Sequence, residues 1–191
     1  RNLGESVEAI HKASGQRPRG FRAPAFALPD HADDIYALID QHFDYDSSCV
    51  LRRADLETGD FRNKPPFSGV SLTEFPLVSC PLLGRRLNLR SGGTFWRLFS
   101  AKTLKRVMDY GHDAGFVPVV YLHPYDYLTG KEFWVRYRHL ENAKGFRRLK
   151  LWLRQHQWLG LGNASTLSKL DVITEHYEPI GPMGSGLRTT T

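Results

Sequence analysis

Segments of helical periodicity alternate along this 191-residue chain with short extended ones, and that alternation constrains the fold more than any other feature. Leu3, Val7 and Ile10 recur at helical spacing, which predicts a helix over 1–14 stopped by Gly15. Residues 19–23 read as extended, since Pro24 disfavours helix in the residue before it. A second helix is expected from Asp30 or His31, with Ile35, Leu38 and Ile39 on one face, and then a strand over 44–51. Residues 52–68 are polar and rich in Gly and Pro, the composition of a long loop. Strands are expected at 72–78 and 94–99. Ser100 then caps a helix that turns Leu104, Val107 and Met108 inward and ends at Gly111 or Gly115. Residues 116–122 are apolar, β-branched and aromatic, and predict the clearest buried strand. A basic helix over 140–158 and a weaker helical pattern over 167–176 follow. Residues 181–191 combine turn residues with no apolar periodicity, so one domain over 1–178 is expected to end in a disordered tail from 179. The fold class is α/β, with too few βα units for a closed eight-fold barrel.

Such a length buries a core without disulfides, so Cys49 and Cys80 pair or stay free without forming a framework. The longest apolar stretch, 116–122, is broken by Pro118 and falls well short of the ~20 residues of a membrane-spanning helix. No integral membrane segment is expected. Charge divides the chain. Residues 1–80 hold 9 Lys and Arg against 12 Asp and Glu, and residues 81–191 hold 17 against 8. Much of the excess recurs between Lys131 and Arg154. A solvated amphipathic helix, with Phe146, Leu149, Trp152 and Leu153 turned inward, accounts for it more simply than a nucleic-acid surface. The chain opens on Arg1 in a helix already under way, with no export signal, and is expected to be cut from something longer.

Eight histidines are present, none at the i, i+3 or i, i+4 spacing that sets two imidazoles on one metal. There is no phosphate loop, nucleophile elbow or Cys-x-x-Cys. Three places carry chemistry. Arg22, within Gly20-Phe21-Arg22-Ala23-Pro24-Ala25-Phe26, puts a guanidinium at a strand end, either to clamp a carboxylate or as a structural ion pair. Tyr45-Asp46-Ser47-Ser48 is acidic and hydroxyl-rich, either a site or a turn. His123, within Tyr121-Leu122-His123-Pro124-Tyr125-Asp126, follows the apolar run and is placed for proton transfer or for a structural role.

These segments, with Gly92-Gly93-Thr94-Phe95-Trp96-Arg97 and Arg136-Tyr137-Arg138-His139, stand in an order that resembles the C-terminal two-thirds of a polysaccharide deacetylase, the NodB-homology family. The likeness runs over about residues 2–170 and is greatest to the bacterial branch linked to exopolysaccharide and exosortase systems. It implies a distorted (β/α) barrel, here partial and lacking its N-terminal βα units. It also implies a hydrolase acting on non-peptide carbon–nitrogen bonds, which removes N-acetyl or sometimes O-acetyl groups from a polysaccharide or glycan with a divalent metal, zinc by analogy. By this resemblance Arg22 orients the catalytic base, the Ala25 N–H forms part of an oxyanion hole, Asp46 tunes the general acid, and His123 is that acid. Tyr45, Trp96, Tyr125 and Asp126 join them as substrate-binding residues.

The departures are specific. Val50 stands where the family often has Trp, and Tyr125-Asp126 where near relatives read Trp-Glu. The family's base and metal ligands lie upstream of the arginine, yet the 21 residues before Arg22 contain no Asp and only His11. No metal ligand set is expected in this chain. It is expected to be inactive without a missing N-terminal segment. A non-catalytic carbohydrate-binding pseudoenzyme is the alternative, and a basic nucleic-acid module a third. A bacterial cytoplasm and a cell envelope are both compatible with the sequence.

Overall fold

Leu3–Ser14 is helical (α1), and Gly15 ends it with φ +72° while its N–H bonds back to His11, as the periodicity predicts. The computed structural model describes residues 3–28, 33–52, 55, 71–82, 87–140 and 142–186. They form a mixed α/β protein with two three-stranded sheets, and among the described residues neither sheet closes into a barrel. The chain divides into two compact units. One comprises Arg1–Leu89, Met108–Val119 and Pro179–Thr191, and the other Arg90–Val107 and Val120–Glu178.

In the first unit β1 (Gly20–Phe21), β2 (Tyr45–Asp46) and β4 (Thr73–Glu74) form a parallel sheet in the order β1-β2-β4. A second sheet has the order β3-β5-β6, with β3 (Val50–Arg52) parallel to β5 (Leu77–Leu82), and β6 (Leu87–Arg90) at its edge. Val7 of α1 packs with Tyr36 and Ile39 of α2 (Asp33–Asp40), with Phe43 and with Leu72. Gly20 is required by packing: a Cβ there would run into the Tyr45 ring.

The expected strand over 44–51 is two strands in different sheets. The break falls at Ser47 and Ser48, whose hydroxyls take backbone and carboxylate partners that a continuous ladder would otherwise replace. In α2 the inward face is Tyr36 and Ile39, while Ile35 and Leu38, expected inside, are exposed. The start at Asp30 or His31 and almost all of the expected loop at 52–68 lie outside the described residues. The strand expected at 72–78 is split into β4 and β5, and β6 was not expected.

The strand expected at 94–99 is a helix, α3 (Thr94–Leu98). Gly93 enters it at φ +61°, and the indole of Trp96 donates to the Ser91 carbonyl at 2.9 Å, which winds the segment back on itself. Short apolar runs do not reveal their period. The expected buried strand at 116–122 forms only one bridge among the described residues, Gly92 to Tyr121. Pro118 offers no N–H for a ladder, and Val117 is exposed while Val119 is buried. By contrast α4 (Ala101–Asp113) follows its pattern: Ser100 Oγ accepts the Thr103 N–H, and Leu104, Val107 and Met108 are buried.

In the second unit the basic helix is α5 (Gly145–Leu159), followed by α6 (Thr166–Thr174). The inward face of α5 differs from the expected one. Phe146, Leu149 and Leu153 are exposed, and Gln155 is buried. The Gln155 amide exchanges two hydrogen bonds with the Val135 backbone, at 2.9 and 2.8 Å, and Trp152 and Trp134 each meet His156 edge-on. An extended segment with unpaired backbone groups selects an amide against it. Met183–Gly186 forms a 3-10 turn, and 187–191 lie outside the described residues. Cys49 and Cys80 are buried and form no disulfide.

Candidate functional site

The C-terminal edge of the parallel sheet in the first unit gathers polar groups. Arg22 follows β1, Ser47 and Ser48 follow β2, and Glu74 ends β4. Arg22 Nε donates to the Ser47 carbonyl at 3.1 Å and its Nη2 to Ser47 Oγ at 2.7 Å. Ser47 Oγ in turn donates to the Phe75 carbonyl at 2.6 Å. Ser48 Oγ accepts the Ala23 N–H at 2.7 Å and donates to Asp46 Oδ1 at 2.7 Å, while its N–H donates to Oδ2 at 3.0 Å. Asp46 is fully buried, so these donors replace the water it lacks. The arginine fork thus grips a serine next to the aspartate, and the three strands are tied at one edge.

Next to this cluster the Pro24 turn holds two successive non-glycine residues in the left-handed region, Ala25 at φ +56° and Phe26 at φ +57°. Each such residue costs about 1–3 kcal/mol, and such strain gathers at functional sites. The turn is closed by Phe26 N–H to Ala23 O and Ala27 N–H to Pro24 O, and Arg22 lies over the Phe26 ring at 5.3 Å. The Ala25 N–H finds no acceptor among the described residues. Tyr45 is half-buried, with its ring edge-on to Phe75 and against Gly20.

Glu74 was not anticipated. Its Oε1 accepts the Cys49 N–H at 2.9 Å, and its carboxyl is pushed up to about 9. Burial is the first cause; the Asp46 charge and a hydrogen bond with Asp46 add to it, against the Cys49 N–H and the Arg22 charge. The Tyr36 hydroxyl is also driven upward, by burial first and then by Glu74, Asp46 and Cys49. The signal in the sequence was an acid between Leu72 and Phe75 in an otherwise apolar stretch.

His123, Tyr125, Asp126 and Trp96 lie in the second unit. The Tyr121 hydroxyl hydrogen-bonds His123 Nε2, and the Tyr125 ring stacks on the imidazole at 4.6 Å and 19°. His123 N–H donates to Asp126 Oδ2 at 2.8 Å, and the Asp126 N–H returns to the His123 carbonyl at 2.9 Å, which fixes the turn. Burial, then the charges of Asp126 and Tyr121, raise the Tyr125 hydroxyl. Tyr125 continues to Trp158 at 6.1 Å, and Arg154 lies over that indole at 4.7 Å.

Two of the expected substrate contacts are buried. Trp96 is 0% exposed with its indole N–H committed to Ser91, and Asp126 is 0% exposed and paired with Arg97. Both are enclosed by protein, and Asp126 fixes the turn that carries His123. Arg97, which closes the Gly92-Gly93-Thr94-Phe95-Trp96-Arg97 segment, is buried. Its guanidinium also donates to the carbonyls of Gln157 and Trp158 and to Thr94 Oγ1. Among the described residues no three His, Cys, Asp or Glu side chains converge to hold a metal. No described helix is long and apolar enough to cross a membrane.

The model of a family described as a domain of unknown function (DUF3473) matches residues 52–165, more than half of the chain. That span takes in the segments around Gly92-Gly93, His123 and Arg136. No curated protein and no solved structure matches.

Proposed function

We propose, from the premise that the chain belongs to the DUF3473 family of domains of unknown function, that it is part of a carbohydrate deacetylase, a hydrolase releasing acetyl groups from a glycan. The observation that carries this reading is the Arg22–Ser47–Ser48–Asp46 chain at the C-terminal edge of parallel strands, the edge where α/β enzymes place their chemistry. The order of the five motifs and the strained turn at Ala25 support it. On this reading β1, β2 and β4 are an arc of a distorted (β/α) barrel.

The residues then take these roles. His123 gives a proton to the leaving sugar amine as the carbon–nitrogen bond breaks, with Tyr121 and Tyr125 holding its ring. Asp46, held by Ser48, anchors the polar edge from which Arg22 and the Ala25 turn project. Arg22 holds the polar edge in shape, and the Ala25 N–H receives the developing oxyanion. Tyr45 and Tyr125 offer ring faces to sugar.

The row of half-buried Tyr121, His123 and Tyr125 with exposed Trp158 favours a second reading, a non-catalytic carbohydrate-binding domain. Acetate release from N-acetylated sugar oligomers by the full-length protein separates the two. Deacetylation that falls in His123→Ala supports the enzyme. Oligomer binding with no acetate released, in the folded protein, overturns it in favour of the binding domain.

A further inference from the structure

Glu74 stands directly across the β2–β4 ladder from Asp46. Register partners send their side chains to the same face of a sheet, so the two carboxyls are neighbours. Asp46 is fully buried, and Glu74 Oε2 is enclosed with no donor facing it. Glu74 Oε1 already accepts the Cys49 N–H, and both Asp46 oxygens accept from Ser48. Two adjacent buried anions in this arrangement repel each other, and an enclosed oxygen without a partner is costly. One proton between them resolves both conditions.

We propose that Glu74 is the positioning residue of this edge: as a neutral carboxylic acid it donates from Oε2 to Asp46 and, with Ser48, fixes the carboxylate. The role in turnover rests on the deacetylase reading; the pairing itself does not. Among the described residues the groups that face the pair are Tyr36 from α2, Cys49 from the link after β2 and Arg22 from the segment after β1. Arg22 is the only cation among them. Its pull on Glu74 is the smallest of the named causes, and burial and Asp46 prevail.

The sign of the pH effect follows. Glu74 holds its proton in the fold up to about 9, against an ordinary 4.5 in the unfolded chain. Between those values the native state binds one more proton, so stability is greatest below the lower value and is lost as pH rises toward the upper one. The folding constant falls by up to about tenfold per pH unit across that window.

The test compares wild type with Glu74→Gln, which keeps a donor but cannot ionise, and with Glu74→Ala. Denaturant unfolding from pH 5 to 9 is expected to show this loss in wild type and a flatter profile in Glu74→Gln. Infrared spectra at pH 7 are expected to show a buried protonated carboxyl band that Glu74→Gln removes. In acetate release, Glu74→Ala is expected to lower kcat at least tenfold and Glu74→Gln to recover most of it while moving the alkaline limb. If the stability profile and the infrared band are the same in wild type and Glu74→Gln, the pairing is overturned, whatever the activity. If both change and no acetate is released by wild type, the pairing stands and the deacetylase reading fails. Should Glu74→Ala not fold, the Glu74→Gln comparison decides alone.

Discussion

The carboxylate of Asp126 lies 3.0 Å from Nε of Arg97, and neither side chain reaches solvent. The pair ties the turn that carries His123 to α3, and the Thr166 hydroxyl holds the Asp126 carbonyl at 2.7 Å from the other side. Removing one partner leaves an uncompensated buried charge, which costs about 3–5 kcal/mol. Asp126→Ala is therefore expected to destabilise by that amount in chemical denaturation. Arg97→Met combined with Asp126→Leu should cost clearly less than the two single changes together. Simple additivity would show that the pair is not coupled.

A general acid contributes about 10²–10⁴-fold to a rate. If His123 protonates the leaving amine, His123→Ala should lower kcat for acetate release within that range, with the melting temperature moved only slightly. A structural role makes the opposite forecast: a lower melting temperature and normal turnover per folded molecule. Near-normal turnover would remove His123 from the reaction.

Arg22 grips Ser47 through two nitrogens at fixed angles, a geometry that an ammonium does not reproduce. Arg22→Lys is expected to cost about 1.5–3 kcal/mol, in the range of a hydrogen bond to a charged group. Ser47→Ala should cost a comparable amount, because it removes the Oγ that accepts from Nη2 and donates to the Phe75 carbonyl while the bond from Nε to the Ser47 carbonyl stays. Combining the two should add little, and a full sum would mean that the residues act independently.

The apolar residues on the outer side of α5 should be dispensable for stability. Phe146→Ser is expected to change unfolding free energy by no more than about 0.5 kcal/mol, since the ring is 79% exposed. Leu104→Ala, in a fully enclosed site, should cost about 2–5 kcal/mol. A large loss in Phe146→Ser would mean that this face is covered in solution.

Local chemistry determined much of this protein by itself. α1 and α4 were legible because their apolar spacing and their boundary residues, Gly15 and Ser100, agree. The site segments were legible because Gly20-Phe21-Arg22, Tyr45-Asp46 and His123-Pro124 juxtapose residue types that chemistry uses. Tertiary structure decided what depends on distant partners. Ser47 and Ser48 break a strand only because Arg22, Ala23 and Phe75 are there to bond them. Gln155 turns inward against the apolar pattern of α5 because the Val135 backbone needs an amide. Asp126 and Trp96 looked available for substrate, and Arg97 and Ser91 enclose them. Glu74 acquires its character from Asp46, 28 positions away in the chain and adjacent only through the register of two parallel strands. A residue type states what a side chain can donate, accept or hide. Burial and neighbours set its charge, and those exist only once the strands are paired.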